Sequence, residues 1–247
     1  MSSNPIAPAE GMEGLAATIS EGYQTLRQVT CLEDVYDIMD YLMDEVKDKY
    51  SNIRCKVDCA MCCKGLHPPY VSAVEWELIL YYINEFPQII KDEIVRRARY
   101  YAAEYRDSLL LQQKLIEGKI PAEEVRSTYM TLSQSLKNAT CPFLVMDKCG
   151  IYPVRPSKCR AMGNTLVQIN DQVKVHTCAW EISNFEDYMR EKGNRSLTMP
   201  VWNLFEKVVE IINPPDSMKA VLPIWLISHI TVRGLAEEVN PKPQVML

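Results

Sequence analysis

Residues 30–50 read "TCLEDVYDIMDYLMDEVKDKY", and this stretch has the spacing of an amphipathic α-helix. Thr30 and Glu33 are spaced as a capping box, which is typical of a helix N-terminus. Apolar side chains then recur three and four residues apart, which places them on one helix face: Val35, Ile38, Met39, Leu42, Met43 and Val46. The stretch therefore predicts a helix that packs one face against a core.

The same signals recur along the chain and predict a mainly α fold. Second and third capping boxes are formed by Ser72 with Glu75 and by Ser183 with Glu186. Helices are also predicted over residues 15–29, 87–117, 121–136 and 200–212, and Gly193 is predicted to end a helix. The alternating runs "LVQI" and "VKVH" flank "NDQ" and predict one hairpin. We expect a helical domain with an irregular cysteine-rich metal-binding insert and at most one small β-hairpin.

The chain of 247 residues is long enough to bury a core without covalent links. We predict three segments that together form one compact domain. They are an N-terminal helical segment (1–54), a cysteine-cluster region with intervening helices (55–178), and C-terminal helices with a loose tail (179–247). Because a chain of this length can bury a core without covalent links, its stability does not by itself require the cysteines.

The net charge of −5 argues against nucleic acid or an anionic membrane as the main partner. The first residues, "MSSNPIAPAEGMEG", contain neither a basic region nor an apolar region of a secretory signal. No stretch approaches about 18 uninterrupted apolar residues. We therefore expect a cytoplasmic protein, with no nucleic-acid or membrane partner, whose clustered thiols serve a metal or a redox centre rather than disulfides.

Eight of the nine cysteines fall into two blocks. The first is "CKVDCAMCC" at residues 55–63, in which Cys55, Cys59 and Cys62 are separated by three and by two residues, and the second consists of Cys141, Cys149, Cys159 and Cys178. Thiolates at such spacings can reach one soft metal ion or cluster. We predict that all eight are metal ligands, enough for at most two complete sites: Cys55, Cys59, Cys62, Cys63, Cys141, Cys149, Cys159 and Cys178. The ninth, Cys31, opens an amphipathic helix and is predicted to be a half-buried apolar residue.

Cys62 and Cys63 are adjacent in sequence. Neighbouring side chains point roughly 100° apart in a helix and to opposite faces in a strand. We therefore expect that the two thiols serve different centres, or that only one of them is a ligand.

Basic residues lie within a few positions of the predicted ligands, although the chain is acidic. These basic residues are Lys56, Lys64, Lys148, Arg155, Lys158 and Arg160. Their positive charges would favour thiolates, although ordinary solvated surface charges would give the same pattern. His67 and His176 could be ligands or ordinary polar residues, whereas His229 lies in an apolar helix and is expected to be a core residue.

The stretch "CPFLVMDKCGIYPVRPSKCR" (141–160), with "CKVDCAMCC" before it and "HTCAW" after it, resembles the YkgJ-type cysteine-cluster family, which is described as zinc- or iron-chelating. Flagellin lysine N-methylases also resemble that family. The resemblance covers roughly residues 55–178 and implies metal chelation without an established reaction. This chain departs from the pattern in its three-residue first gap and in "CRAMGN". We expect Tyr152, Arg155 and Arg160 to lie around the bound cofactor.

The leading hypothesis is an iron–sulfur cluster, most simply of the 4Fe–4S type, because the predicted donors are sulfur atoms. Such a centre would serve redox chemistry, electron transfer or metalloenzyme maturation, with a protein as redox partner or maturation client. Structural zinc in an adaptor is the alternative, and a dithiol switch is a minor one.

A third hypothesis is an enzyme that modifies proteins with S-adenosylmethionine. The spacing of Cys55, Cys59 and Cys62 resembles the radical S-adenosylmethionine signature. The train of alternating strands and helices that a β/α barrel needs does not follow the motif. Whether the chain is an enzyme stays open in the sequence.

Overall fold

A computed structural model describes residues 12–55, 59–64, 67–193 and 197–244. These residues form ten α-helices, which confirms the mainly α prediction. Their bounds are α1 Glu13–Leu26, α2 Leu32–Lys49, α3 Ala73–Asn84, α4 Gln88–Glu104, α5 Arg106–Ile116, α6 Val125–Ser135, α7 Ser157–Arg160, α8 Ala179–Lys192, α9 Trp202–Ile212 and α10 Leu222–Ser228.

The strands are short and pair antiparallel, two at a time. The predicted hairpin is the longest pair, β4 with β5, and three pairs of two-residue strands add to it. The bounds are β1 Tyr70–Val71, β2 Leu144–Val145, β3 Lys148–Cys149, β4 Thr165–Ile169, β5 Gln172–His176, β6 Ala220–Val221, β7 Ile230–Thr231 and β8 Gly234–Leu235. The order of pairing is β1–β6, β2–β3, β4–β5 and β7–β8.

The helix ends confirm some sequence signals and correct others. Ser72 and Glu75 form the predicted capping box of α3, and Gly193 ends α8 in the left-handed conformation. The N-cap of α2 is Cys31, without a side-chain cap, so the box predicted at Thr30 is wrong. Ser183 lies inside α8, which begins after Cys178, so the third predicted box is also wrong.

Two compact units are formed, each from two pieces of the chain. The first takes residues 1–56 and 160–212 and contains α1, α2, the β4–β5 hairpin, α8 and α9. Its core buries the predicted apolar face of α2, and Phe205 of α9 packs against Tyr23 of α1 with ring centroids 6.1 Å apart. The Tyr50 hydroxyl accepts the Thr198 N–H at 2.7 Å and fixes the chain before α9.

The second unit takes residues 57–159 and 213–247. Trp76 of α3 and Trp225 of α10 are fully buried at its centre and stack at 6.1 Å. The Trp225 Nε1–H donates to the carbonyl of Val71 at 2.8 Å, which ties α10 to β1. Phe143 is buried against Trp76 and anchors the chain that follows Cys141.

Among the helices in the described ranges, none combines the length and apolar character that crossing a bilayer requires. The three sequence segments 1–54, 55–178 and 179–247 stay a prediction.

Candidate metal centre

The second unit contains six of the eight predicted ligands. Cys62 and Cys63 lie in a single 3₁₀ turn, Met61–Cys63, which the Cys63 N–H closes by donating to Ala60 O at 3.0 Å. The others are a half-buried Cys59, Cys141 in the loop after α6, Cys149 in β3 and Cys159 in α7. The unit therefore gathers ligands from both sequence blocks.

A backbone contact joins the two blocks. The Cys141 N–H donates to the carbonyl oxygen of Cys63 at 2.9 Å, and Lys64 forms an antiparallel bridge with Thr140. This pairing brings residues almost eighty positions apart in sequence side by side, so the first block lies against the beginning of the second.

A tight hairpin returns Cys149 to the same place. Leu144 pairs with Cys149 across β2 and β3, and the turn residues Met146 and Asp147 both have positive φ. Asp147 also accepts a hydrogen bond from Lys64 Nζ at 2.7 Å, an exposed ion pair that links the hairpin tip to the 3₁₀ turn.

The thiols themselves interact. The Cys63 thiol is in hydrogen-bonding contact with the side chains of Cys141, Cys149 and Cys62, and these contacts raise its pKa far above the ordinary thiol value. The same contact with Cys63 lowers the pKa of Cys62 to about 7 and also lowers the pKa of Cys149. The contacts with Cys63 therefore favour ionisation of Cys62 and of Cys149 and oppose ionisation of Cys63 itself.

Cys159 is the fifth member of this group. Burial raises the pKa of its thiol, and the charges of Cys62, Cys141 and Cys149 raise it further. We call Cys62, Cys63, Cys141, Cys149 and Cys159 the thiol group. The adjacent pair thus belongs to one group, which differs from the divergence expected of an ideal helix or strand.

Arg155 supplies positive charge to the thiol group. The contact with Cys63 is the largest cause of the lowered pKa of Cys62 and of Cys149, and the positive charge of Arg155 lowers both pKa values further. The guanidinium lies 3.8 Å from the ring centroid of Tyr152 and donates to the Tyr152 carbonyl at 2.9 Å. Two of the three predicted cofactor-contacting residues therefore stand together beside the thiols.

Glu75 positions the helix that carries Cys159. Its buried carboxylate accepts the Ser72 N–H at 2.9 Å through Oε2 and the Ser157 N–H at 2.8 Å through Oε1. The second contact fixes the first residue of α7, two positions before Cys159. The sequence reveals Glu75 as a capping residue, but carries no signal for a partner 82 residues away.

The remaining predicted site residues lie in the first unit. Arg160 is buried, forms an ion pair with Asp40 and lies 4.2 Å from the ring centroid of Tyr36. Cys178 is buried at the N-cap of α8.

Cys55 is held against Gly163, whose N–H donates to His176 O at 2.7 Å. A Cβ at Gly163 would lie 2.8 Å from Cys55 Cβ, and its φ of +85° also favours glycine. The strand end before Cys178 and the Cys55 side chain therefore meet at this glycine. Lys56 lies outside the described residues.

The histidines have other partners. His229 is buried, as predicted, with Nδ1 2.7 Å from Trp225 O and Nε2 accepting the Asn240 N–H at 2.9 Å. His67 stacks on Tyr70 with centroids 5.9 Å apart. His176 lies 5.2 Å from the Trp202 ring.

The donor chemistry of the thiol group fits a soft metal. Sulfur donors suit zinc and iron–sulfur clusters, and the nearby guanidinium offsets thiolate charge. Across the described ranges, no three histidine, cysteine or acidic side chains are already spaced to hold a metal ion. Metal binding would therefore draw these interacting sulfurs into coordination geometry.

A model of one protein family matches residues 54–179, about half of the chain. The chain belongs to the CxxCxxCC family. The family is described as a "Putative zinc- or iron-chelating domain". The match confirms the resemblance to a cysteine-cluster family and supports a cysteine-rich metal-binding protein. The CxxCxxCC region includes all eight predicted ligands. No curated protein and no solved structure matches the chain.

Proposed function

We propose that the chain binds an iron–sulfur cluster of the 4Fe–4S type through thiolates of the thiol group. The observation that carries the proposal is the convergence of five cysteines from both sequence blocks within one unit. A 4Fe–4S cluster takes four cysteine thiolates, and the five cysteines of the group would be enough to supply them. Cys55, Cys59 and Cys178 stay predicted ligands.

The surrounding side chains would stabilise such a centre. Arg155 lies where it favours the thiolate forms of Cys62 and Cys149. Tyr152 holds the guanidinium in place through the contact with its ring and through its backbone carbonyl, which accepts a hydrogen bond from Arg155. Arg160 is retained as a predicted cofactor-contacting residue, although its described partners are Asp40 and Tyr36. A bound cluster would supply one-electron chemistry.

The role that we propose is electron transfer or metalloenzyme maturation, with a protein as the redox partner or the maturation client. The net charge of −5 would favour a partner with a basic surface. We propose a cytoplasmic location, with neither nucleic acid nor a membrane as partner.

Zinc is the second candidate. The same sulfur donors suit a tetrahedral site of four cysteine thiolates, with zinc–sulfur distances of about 2.3 Å. The family description names both metals. With zinc the centre would hold the second unit together and carry no redox chemistry.

The S-adenosylmethionine hypothesis requires Cys55, Cys59 and Cys62 to share one cluster. Here Cys62 interacts with Cys63 and belongs to the thiol group. In the described residues every sheet is a two-stranded antiparallel pair, which supplies no part of a β/α barrel. We therefore favour the closed, cysteine-ligated cluster.

The experiment is anaerobic purification followed by visible absorption and by assays of iron, acid-labile sulfide and zinc. We expect brown protein that contains iron and sulfide in equal amounts. Colourless protein with stoichiometric zinc would replace the cluster with the zinc site. Reductive cleavage of S-adenosylmethionine that is lost in Cys59→Ala would instead support the enzyme hypothesis.

A further inference from the structure

A cavity of about 460 Å³ opens beside the thiol group and lies within the second unit. Helix α4 contributes Arg97 and Tyr101 to its lining, and the loop after α6 contributes Asn138, Thr140 and Cys141. The volume is within the range of small-molecule sites. A ligand in this cavity would lie next to a member of the thiol group.

The Tyr101 hydroxyl is the strongest indication of a ligand. Tyr101 is only 3 % exposed, and its hydroxyl is without a hydrogen-bond partner among the described residues. A buried polar group in this state costs about 1–3 kcal/mol. Tyr101 also lines the cavity, and a ligand atom that reached its hydroxyl and accepted the hydrogen would remove this cost.

The other polar groups indicate what kind of ligand it is. Arg97 is half-buried and donates Nε–H to Glu93 at 2.6 Å, and a guanidinium carries further N–H donors. The acid of the cavity, Glu104, interacts with the Tyr100 and Tyr105 hydroxyls. The hydroxyls of Tyr100 and Tyr105 thus interact with the Glu104 carboxylate. The Tyr101 hydroxyl has no hydrogen-bond partner among the described residues. The cavity favours an acceptor-rich anion.

The tyrosine rings of the cavity indicate the shape of the apolar part of that ligand. Tyr101 and Tyr105 both line the cavity, with ring centroids 4.7 Å apart. Aromatic rings at a cavity wall pack well against a planar, apolar group. Tyr100, which is largely exposed, also lines the cavity.

We propose that this cavity binds a small organic carboxylate whose planar body contacts the tyrosine rings. The carboxylate accepts hydrogen bonds from the Tyr101 hydroxyl and from Arg97, next to Cys141. The site goes beyond the proposed function and does not depend on whether the thiol group binds iron or zinc.

The test uses metal-loaded full-length protein and three probes of similar shape: benzoate, benzamide and benzylamine. Calorimetric titration should show benzoate bound at least about tenfold more tightly than the other two, because hydrogen bonds to charged groups are the stronger ones. Tyr101→Phe keeps the ring and should weaken benzoate binding by about tenfold. Arg97→Gln should weaken it similarly.

The control is Tyr41→Phe, which removes an exposed hydroxyl from α2 in the first unit and should leave benzoate binding unchanged. The proposal is overturned if benzoate does not bind, if benzamide or benzylamine binds equally well, or if Tyr101→Phe binds benzoate like the wild type. Metal content is measured on the same samples. A failure of the metal proposal is therefore distinguishable from a failure of this one.

Discussion

Cys63 and Cys141 are joined twice. The Cys141 N–H donates to the Cys63 carbonyl at 2.9 Å, and the two thiols interact directly. Because the residues belong to different sequence blocks, this double contact joins the two halves of the cysteine motif within the second unit. Backbone pairing holds the thiols together before a metal contributes any binding energy, which reduces the ordering that metal binding must bring about.

The first prediction concerns the thiol group. Cys141→Ser and Cys149→Ser should each reduce metal affinity by at least about tenfold, because serine is a poor ligand for a soft metal. Mutating residues that only hydrogen-bond to metal ligands already reduces affinity by about that factor. Metal bound per chain, measured after competition with a chelator, checks this. Cys31→Ser is the control, because Cys31 lies at the N-cap position of α2 in the first unit and belongs to neither cysteine block. Equal metal loss in Cys31→Ser would contradict the assignment.

The second prediction concerns Glu75. Glu75→Gln should lower the free energy of unfolding by about 1–3 kcal/mol, because a buried carboxylate that accepts two backbone N–H groups loses its charge. It should also weaken metal retention, since Ser157 and with it Cys159 lose their anchor. Denaturant unfolding and chelator competition measure both effects. Glu77→Gln, on the exposed face of the same helix, should change neither; matching losses in both variants would argue against the anchor.

The third prediction concerns Gly163. Gly163→Ala should destabilise the protein by at least about 1 kcal/mol, because alanine resists positive φ and its Cβ would meet Cys55. Gly14→Ala is the matched control in α1, where an added Cβ meets nothing within 4 Å, and it should be neutral or stabilising by up to about 1 kcal/mol. Thermal unfolding of both variants measures the two changes in stability. Unchanged stability in Gly163→Ala would contradict the close contact between Gly163 and Cys55.

The fourth prediction is a pH dependence. Burial lowers the pKa of His229, whereas the unfolded chain titrates near the ordinary value of about 6.5. The unfolded state then binds more protons, so this contribution to stability is full above about pH 6.5 and is lost as pH falls towards the lowered pKa of the folded state. In denaturant titrations between about pH 7 and 5, the free energy of unfolding of His229→Gln should fall less steeply with decreasing pH than that of the wild type. An identical slope would show that His229 is not the cause.

Local signals identify helices in this chain better than they locate helix ends. Ser72 and Glu75 form the predicted box, but α8 begins four residues before the box predicted at Ser183. Its first turn is fixed by a distant contact, in which Glu181 Oε1 accepts the Arg54 N–H at 2.9 Å. The predicted helix over residues 87–117 is divided at Tyr105 into α4 and α5. A four-residue pattern carries no information about either event.

The cysteine spacing identifies the chemistry of the site but not its grouping. Adjacent side chains diverge in an ideal helix or strand, whereas Cys62 and Cys63 lie in one short 3₁₀ turn. The place of Tyr101 beside Cys141 has no sequence signal either, because it depends on how α4 packs against the loop after α6. Such long-range packing is what the sequence pattern leaves open.

An iron–sulfur cluster bound by the thiol group would have a distinctive metal environment. X-ray absorption at the iron and zinc edges of anaerobically purified protein tests for this cluster most directly, since it identifies the metal and the atoms around it. We expect iron surrounded by sulfur, with a second iron as a near neighbour. Zinc with four sulfur neighbours at about 2.3 Å, or iron with nitrogen and oxygen neighbours, would contradict it.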